Sequence, residues 1–211
     1  MSKDIIRGKA AIIEFDAAKC IHSRHCVLDR PDVFVPNVEG EWIHPDAATA
    51  DEVVTIARNC PSGAIVARRL DGGADETAPI VNTVRVLENG PLAVRASLAV
   101  RGVPVGFRAT LCRCGQSRRK PYCDGSHAIA GFTATGEPPA KTSTPLVSRA
   151  GSVEVAPLPN GPLKLKGPME VVSGTGHTIN RASELYFCRC GHSKTKPYCD
   201  GSHQALGFVA D

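Results

Sequence analysis

Cys112-Arg-Cys114-Gly-Gln-Ser117-Arg-Arg-Lys-Pro121-Tyr-Cys123-Asp-Gly-Ser-His127 is written twice in this chain, the second time from Cys188 through Cys190 and Cys199 to His203. Three cysteines and one histidine at the same spacing in each copy define two metal sites. Thiolates are soft ligands that select iron-sulfur clusters, zinc or Cu(I), and an imidazole as fourth ligand leaves both iron-sulfur and zinc open. Residues 112–132 match 188–208 at 15 of 21 positions, including the trailing Gly131-Phe132 and Gly207-Phe208, so the ligand sets sit inside an internal repeat.

The repeat continues upstream. Val84-x-x-Leu87-x-Asn89-Gly90-Pro91-Leu92 matches Val155-x-x-Leu158-x-Asn160-Gly161-Pro162-Leu163, at an offset that leaves five extra residues before the second set of cysteines. After the first Asn-Gly turn, Leu92, Val94, Ala96, Leu98 and Val100 fall on one face and Ala93, Arg95, Ser97, Ala99 and Arg101 on the other, the pattern of a half-buried strand. Leu163, Leu165, Met169 and Val171 repeat it against Lys164, Lys166 and Glu170. Each copy reads as a β-hairpin followed by a short strand, near 107–111 or 184–187, that delivers the chain to its ligand loop. Turn-rich residues 70–79 and the Pro-, Ser- and Thr-rich stretch 135–145 mark boundaries, giving domains at 1–72, 78–140 and 146–211.

Spacing assigns the ligands to pairs. Cys112 and Cys114 are two apart, so in extended backbone their side chains point the same way and can share one metal. Cys123 and His127 are four apart, which one helical turn places on one face, with Asp124 and Ser126 suited to cap its start. Gly125 lets the backbone approach the metal closely.

Both motifs resemble the CDGSH iron-sulfur domain family, the mitoNEET-type proteins, whose signature Cys-x-Cys-x2-Ser/Thr-x3-Pro-x-Cys-Asp-Gly-Ser/Ala/Thr-His they match at every fixed position. The resemblance implies one [2Fe-2S] cluster on Cys112, Cys114, Cys123 and His127, another on Cys188, Cys190, Cys199 and His203, and a β-cap above them. Because chains of that family pair through intertwined strands, the repeats look like such a dimer fused into one monomeric polypeptide. Three cysteines and a histidine are also a structural zinc set, although Cys-x-Cys is tighter than the usual gap of about 2 to 4 residues. A histidine in place of a thiolate removes negative charge and raises a cluster's potential, as in Rieske centres, and its free ring nitrogen can titrate, so proton-coupled reduction is expected. Arg113 and Arg189 are solvated or donate to sulfur or a carboxylate, Ser117 and Ser193 steady the loops, and His192 lies outside the coordination shell.

A different module precedes the repeats. Cys20-Ile-His22-Ser23-Arg-His25-Cys26, followed by Cys60-Pro61, follows the ferredoxin pattern Cys-x2-Cys-x2-Cys with a remote Cys-Pro, except that Ser23 stands where the middle cysteine belongs. Three cysteines suit a [3Fe-4S] cluster; a [4Fe-4S] cluster needs Ser23, His22, His25 or solvent at the remaining corner. The pattern predicts a strand near 11–15, a short helix around Val27, strands flanking 37–40, a helix over 46–59 and a returning strand over 60–66. This resembles the divergent mono-cluster ferredoxins. The fold class is therefore α+β: a small ferredoxin-like domain, then two β-rich repeats forming a pseudo-dimeric cap with two cluster lobes. His44 and His177 have no ligand spacing.

Composition narrows the function. Nine cysteines, an odd number, in Cys-x-Cys spacing read as metal ligands in a reducing compartment rather than as disulfides. The formal charge is +4, but two-iron clusters on three thiolates carry about −1 each and a three-iron cluster about −2, which brings the balance to about zero. Basicity is thus no argument for nucleic acid. No apolar run approaches a membrane span, and the start of the chain lacks the apolar core of a signal peptide, so a cytoplasmic, unanchored protein is expected. Neither a nucleotide fingerprint nor a nucleophile triad is present, and no catalysis is expected. The expected role is electron transfer with redox protein partners; the alternative is cluster carriage to apo-acceptors, or redox and pH sensing.

Overall fold

The computed structural model describes residues 3–210, which form two compact units dividing between Thr77 and Ala78. In the first, β1 (Asp4–Arg7), β2 (Ala11–Phe15) and β3 (Ile65–Arg69) make an antiparallel sheet in that order. Alternation along β2 buries Ala11 and Ile13, which meet Val53, Ile56 and Ala57 of α2 (Ala50–Asn59) in one apolar core. The helix begins at Ala50, later than the expected 46, because Thr49 caps it: the Glu52 amide donates to the Thr49 hydroxyl oxygen, and Glu52 Oε2 accepts the Thr49 amide at 2.8 Å. Pro45–Ala47 forms a separate 3-10 turn. A short α1 (His25–Asp29) follows Cys20 and contains Cys26. Two expectations need correction. Residues flanking 37–40 make only an isolated bridge, Phe34 to Ile43, and the returning strand starts at Ile65 because 60–64 is spent turning the chain out of α2.

The second unit carries β4 (Thr83–Val86), β5 (Leu92–Val100), β6 (Val103–Leu111), α3 (Ser126–Ile129), β7 (Ser152–Pro157), β8 (Leu163–Val172), β9 (Thr178–Phe187) and α4 (Ser202–Ala205). The strands that enter the ligand loops are longer than the short segments expected, since β6 pairs back to Val103 across a tight turn with positive φ at both Arg101 and Gly102. Pairing is exchanged between repeats. β4 runs antiparallel to β5 of its own repeat and parallel to β8 of the other, while β7 runs antiparallel to β8 and parallel to β5. The four strands therefore close on themselves, and β6 and β9 extend from β5 and β8. Leu92, Val94, Leu163, Leu165, Met169 and Val171 all point into one core common to both repeats. Alternation placed Glu170 on the outer face, yet it is only 4% exposed, because Arg149 and Arg181 close over its carboxylate at 2.7 and 3.5 Å. Among the described residues, no helix is long and apolar enough to cross a membrane.

Candidate metal centres

β6 ends at Leu111 and hands the chain to Cys112, whose amide donates to the Pro121 carbonyl at 2.8 Å; the Cys123 amide returns to the Thr110 carbonyl at 2.9 Å. These bonds fold residues 112–123 back on themselves. The second loop repeats them, Cys188 to Pro197 and Cys199 to Tyr186. Ser117 Oγ donates to the Tyr122 carbonyl at 2.6 Å and accepts from the Arg119 amide, so its hydroxyl ties the loop from inside, as Ser193 does on Tyr198.

Within each loop the ligands stand in two pairs. Cys112 and Cys114 sulfurs are 3.8 Å apart, and Cys188 and Cys190 sulfurs 3.7 Å. A metal about 2.3 Å from each of two sulfurs at the tetrahedral angle would hold them about 3.8 Å apart. The remaining pair is Cys123 Sγ with His127 Nδ1 at 3.3 Å, and Cys199 Sγ with His203 Nδ1 at 3.4 Å. Nδ1 is thus the ring nitrogen on the ligand side, leaving Nε2 free of it. Among the described residues no group of three such side chains is preformed around one point. Asp124 orders the turn that carries the histidine: it accepts the Ser126 amide at 3.0 Å and the Arg118 amide at 2.9 Å. Burial alone would raise its carboxyl, but these donors hold it down at about 2. Gly125 adopts φ +87°, and its amide faces Cys123 Sγ at 3.4 Å.

The electrostatics divide the ligand thiols, lowering one and raising others. The hydrogen bond between the Cys112 and Cys114 sulfurs holds the Cys112 thiol below its usual value and raises Cys114. Burial pushes Cys123 up to about 11, and raises Cys199 as well. Burial also lowers His127, keeping its imidazole neutral and available as a ligand.

Arg113 and Arg189, expected in solvent or on sulfur, are instead 1% exposed. Arg113 donates to the carbonyls of Gly90, Leu87, Ala134 and Thr135, with its guanidinium 5.4 Å from the Phe132 ring centroid. Arg189 does the same on Gly161, Leu158 and Ala210, beneath Phe208. Each arginine locks its Asn-Gly turn to the segment following the histidine. The sequence held one signal for this, the Gly-Phe pair at a constant distance beyond each histidine. Lys120 and Lys196 also bind the loops, donating to the Ser117 and Ser193 carbonyls at 2.7 Å. His192 is exposed.

The first unit brings its three cysteines to one cavity of about 360 Å³, lined also by Ser23, His22, His25 and the aromatic pair Phe15 and Trp42. Cys20 and Cys26 are raised by burial, and both feel the charge of Cys60. Cys60, 8% exposed, caps the end of α2, and its sulfur lies 3.6 Å from Ser62 Oγ. The loop between Cys20 and Cys26 turns through positive φ at His22 and Arg24. The donor set, three thiols around a half-open and largely apolar cavity, fits an iron-sulfur group.

Known families match both units. The model described as iron-binding zinc finger, CDGSH type, matches residues 89–128 and again 160–204, and the model described as divergent 4Fe-4S mono-cluster matches residues 6–69.

Proposed function

The chain carries two CDGSH-type iron-binding domains behind a divergent 4Fe-4S mono-cluster domain, and we propose that it is a soluble, cytoplasmic electron-transfer protein with three clusters. The observation that carries this reading is the division of each Cys3His set into a thiolate pair and a thiolate–imidazole pair, each spanning one edge of a metal tetrahedron. Two metals per set fit a [2Fe-2S] core, with Cys112 and Cys114 on one iron and Cys123 and His127 on the other; Cys188, Cys190, Cys199 and His203 repeat the arrangement. The cavity at Cys20, Cys26 and Cys60 would hold a [3Fe-4S] cluster, or a [4Fe-4S] cluster if Ser23 or a histidine completes it. The exchanged strand pairing supports a fused internal dimer, so the protein works as a monomer. When bound, the clusters supply one-electron chemistry; the chain itself holds them, excludes water from the inner thiolates, and keeps a protonatable Nε2 on each histidine. It performs no catalysis of its own and passes electrons between redox protein partners.

Iron, sulfide and zinc analysis of anaerobically purified protein tests this, with EPR before and after reduction. The expected result is iron and sulfide for three clusters and an oxidised-state signal from the first. Zinc without sulfide would replace the reading with a structural one. Cluster carriage is the second reading, favoured by exposure: the inner Cys188 is 1% exposed, whereas Cys199 and His203 of the outer pair are half-buried. Transfer of intact clusters on mixing with an apo-ferredoxin would establish it.

A further inference from the structure

In the second unit the two ligand loops touch each other. Gly115, at φ +81°, lies so close to the other repeat that a Cβ there would stand 2.5 Å from the Cys190 carbonyl oxygen, and Gly191, at φ +88°, has the same overlap with the carbonyl of Cys114. Backbone approach of that kind admits only glycine. The contact is reciprocal and joins ligand to ligand, since Cys114 and Cys190 each carry a sulfur of their own site. One further contact crosses the same boundary. Lys120 Nζ of the first loop lies 6.0 Å from the ring centroid of Phe208, whose amide donates to the His203 carbonyl at 3.1 Å.

We infer that the two sites are held as a pair, with Gly115 and Gly191 acting as positioning residues for the opposite site. The physical reason is that an ordered backbone at Cys190 is one wall of the space Gly115 occupies, and the converse. A metal that fixes Cys112 and Cys114 thereby limits the motion of the loop carrying Cys188 and Cys190. Filling either site then protects the ligand loop of the other. Gly125 and Gly201, also left-handed, have open space where a Cβ would go, so backbone strain and cross-site contact can be separated by substitution.

The inference rests on both sites holding metal, as proposed above, and amide hydrogen exchange by mass spectrometry on the metal-loaded full chain tests it site by site. In Cys123→Ser with His127→Ala, which empties the first site but leaves 112–115 intact, amides in 188–203 should exchange at least about fivefold faster than in the parent. Gly115→Ala should give the same cross-site loss, whereas Gly125→Ala should confine its loss to 112–130. If emptying the first site leaves 188–203 within about twofold of the parent, the pairing is overturned, and that comparison decides even where Gly115→Ala fails to fold. Should Gly115→Ala match Gly125→Ala, the glycine route is overturned. Metal and sulfide analysis of the same samples judges the cluster reading separately, because exchange protection reports coupling for iron and zinc alike.

Discussion

Arg113 Nε donates to the Gly90 carbonyl across 2.9 Å, tying the turn between β4 and β5 to the loop that carries Cys112 and Cys114. The other guanidinium nitrogens take the carbonyls of Leu87, Ala134 and Thr135. Burial lowers Arg113 to about 10, which still leaves it charged at neutral pH. Arg113→Ala strands these acceptors away from water and opens a cavity, and should destabilise the second unit by about 3 kcal/mol. Arg113→Lys, a single point charge that cannot serve the same spread of carbonyls, should fall between. Chemical denaturation midpoints of the three proteins check this; an Ala variant as stable as the parent would assign the arginine no structural role.

How far the sequence reached follows from the range of each interaction. Ligand pairs such as Cys112 with Cys114, or Cys123 with His127, are local, and so spacing names the side chains that the structure brings together. Strand alternation in Leu92–Val100 and Leu163–Val172 is equally local. The parallel pairing of β4 with β8 joins Thr83 to Glu170, and nothing in a one-dimensional pattern specifies a partner so distant. Arg113 was illegible for a related reason: its acceptors are backbone carbonyls, which every residue has. Glu170 read as solvent-facing because alternation tells sides of a strand apart but not whether another segment, here the one bearing Arg149, covers the outer side.

Glu170 carries an acid-sensitive contribution to the seam between repeats. Burial would raise its carboxyl, but Arg149, the Thr178 hydroxyl at 3.1 Å and Arg181 outweigh burial and hold it below 4.5. A depressed carboxyl stabilises the folded state above its ordinary value and loses that contribution as pH falls through the lower folded value. Glu170→Gln should therefore lower stability at pH 7 by about 1 to 3 kcal/mol and reduce the loss of stability below pH 4.5. Thermal melts of both proteins between pH 7 and pH 3 would show the two curves converging in acid; parallel curves would refute the assignment.

Loading should release protons. Burial raises Cys20, Cys26, Cys123 and Cys199, so these thiols are neutral in the metal-free protein at pH 7 and must ionise to bind. Zinc titrated into apoprotein, as a probe of the thiol set, should release more than one proton per site and bind more tightly as pH rises from 6 to 8. For the apoprotein alone the sign reverses. A thiol raised on folding stabilises below its unfolded value, so the contribution of Cys123 is lost as pH rises from 9 toward about 11. Calorimetry in buffers of different ionisation enthalpy measures the proton count, and release of none would contradict the burial argument.

The histidines should set the pH dependence of the potentials. His127 Nδ1 faces Cys123 Sγ at 3.3 Å and His203 Nδ1 faces Cys199 Sγ at 3.4 Å, so on the proposed ligation Nε2 is the nitrogen that can take a proton. Reduction adds negative charge beside the ring, which favours protonation, so the potential should fall as pH rises, by at most about 59 mV per unit for one proton per electron. His127→Cys with His203→Cys replaces each neutral ring by a thiolate. Extra negative charge lowers both potentials, and removing Nε2 removes the titrating group. Protein-film voltammetry from pH 6 to 9 should give lower and nearly flat potentials for the double variant. If the slope survives both substitutions, the protons reside elsewhere and the histidines serve only as ligands.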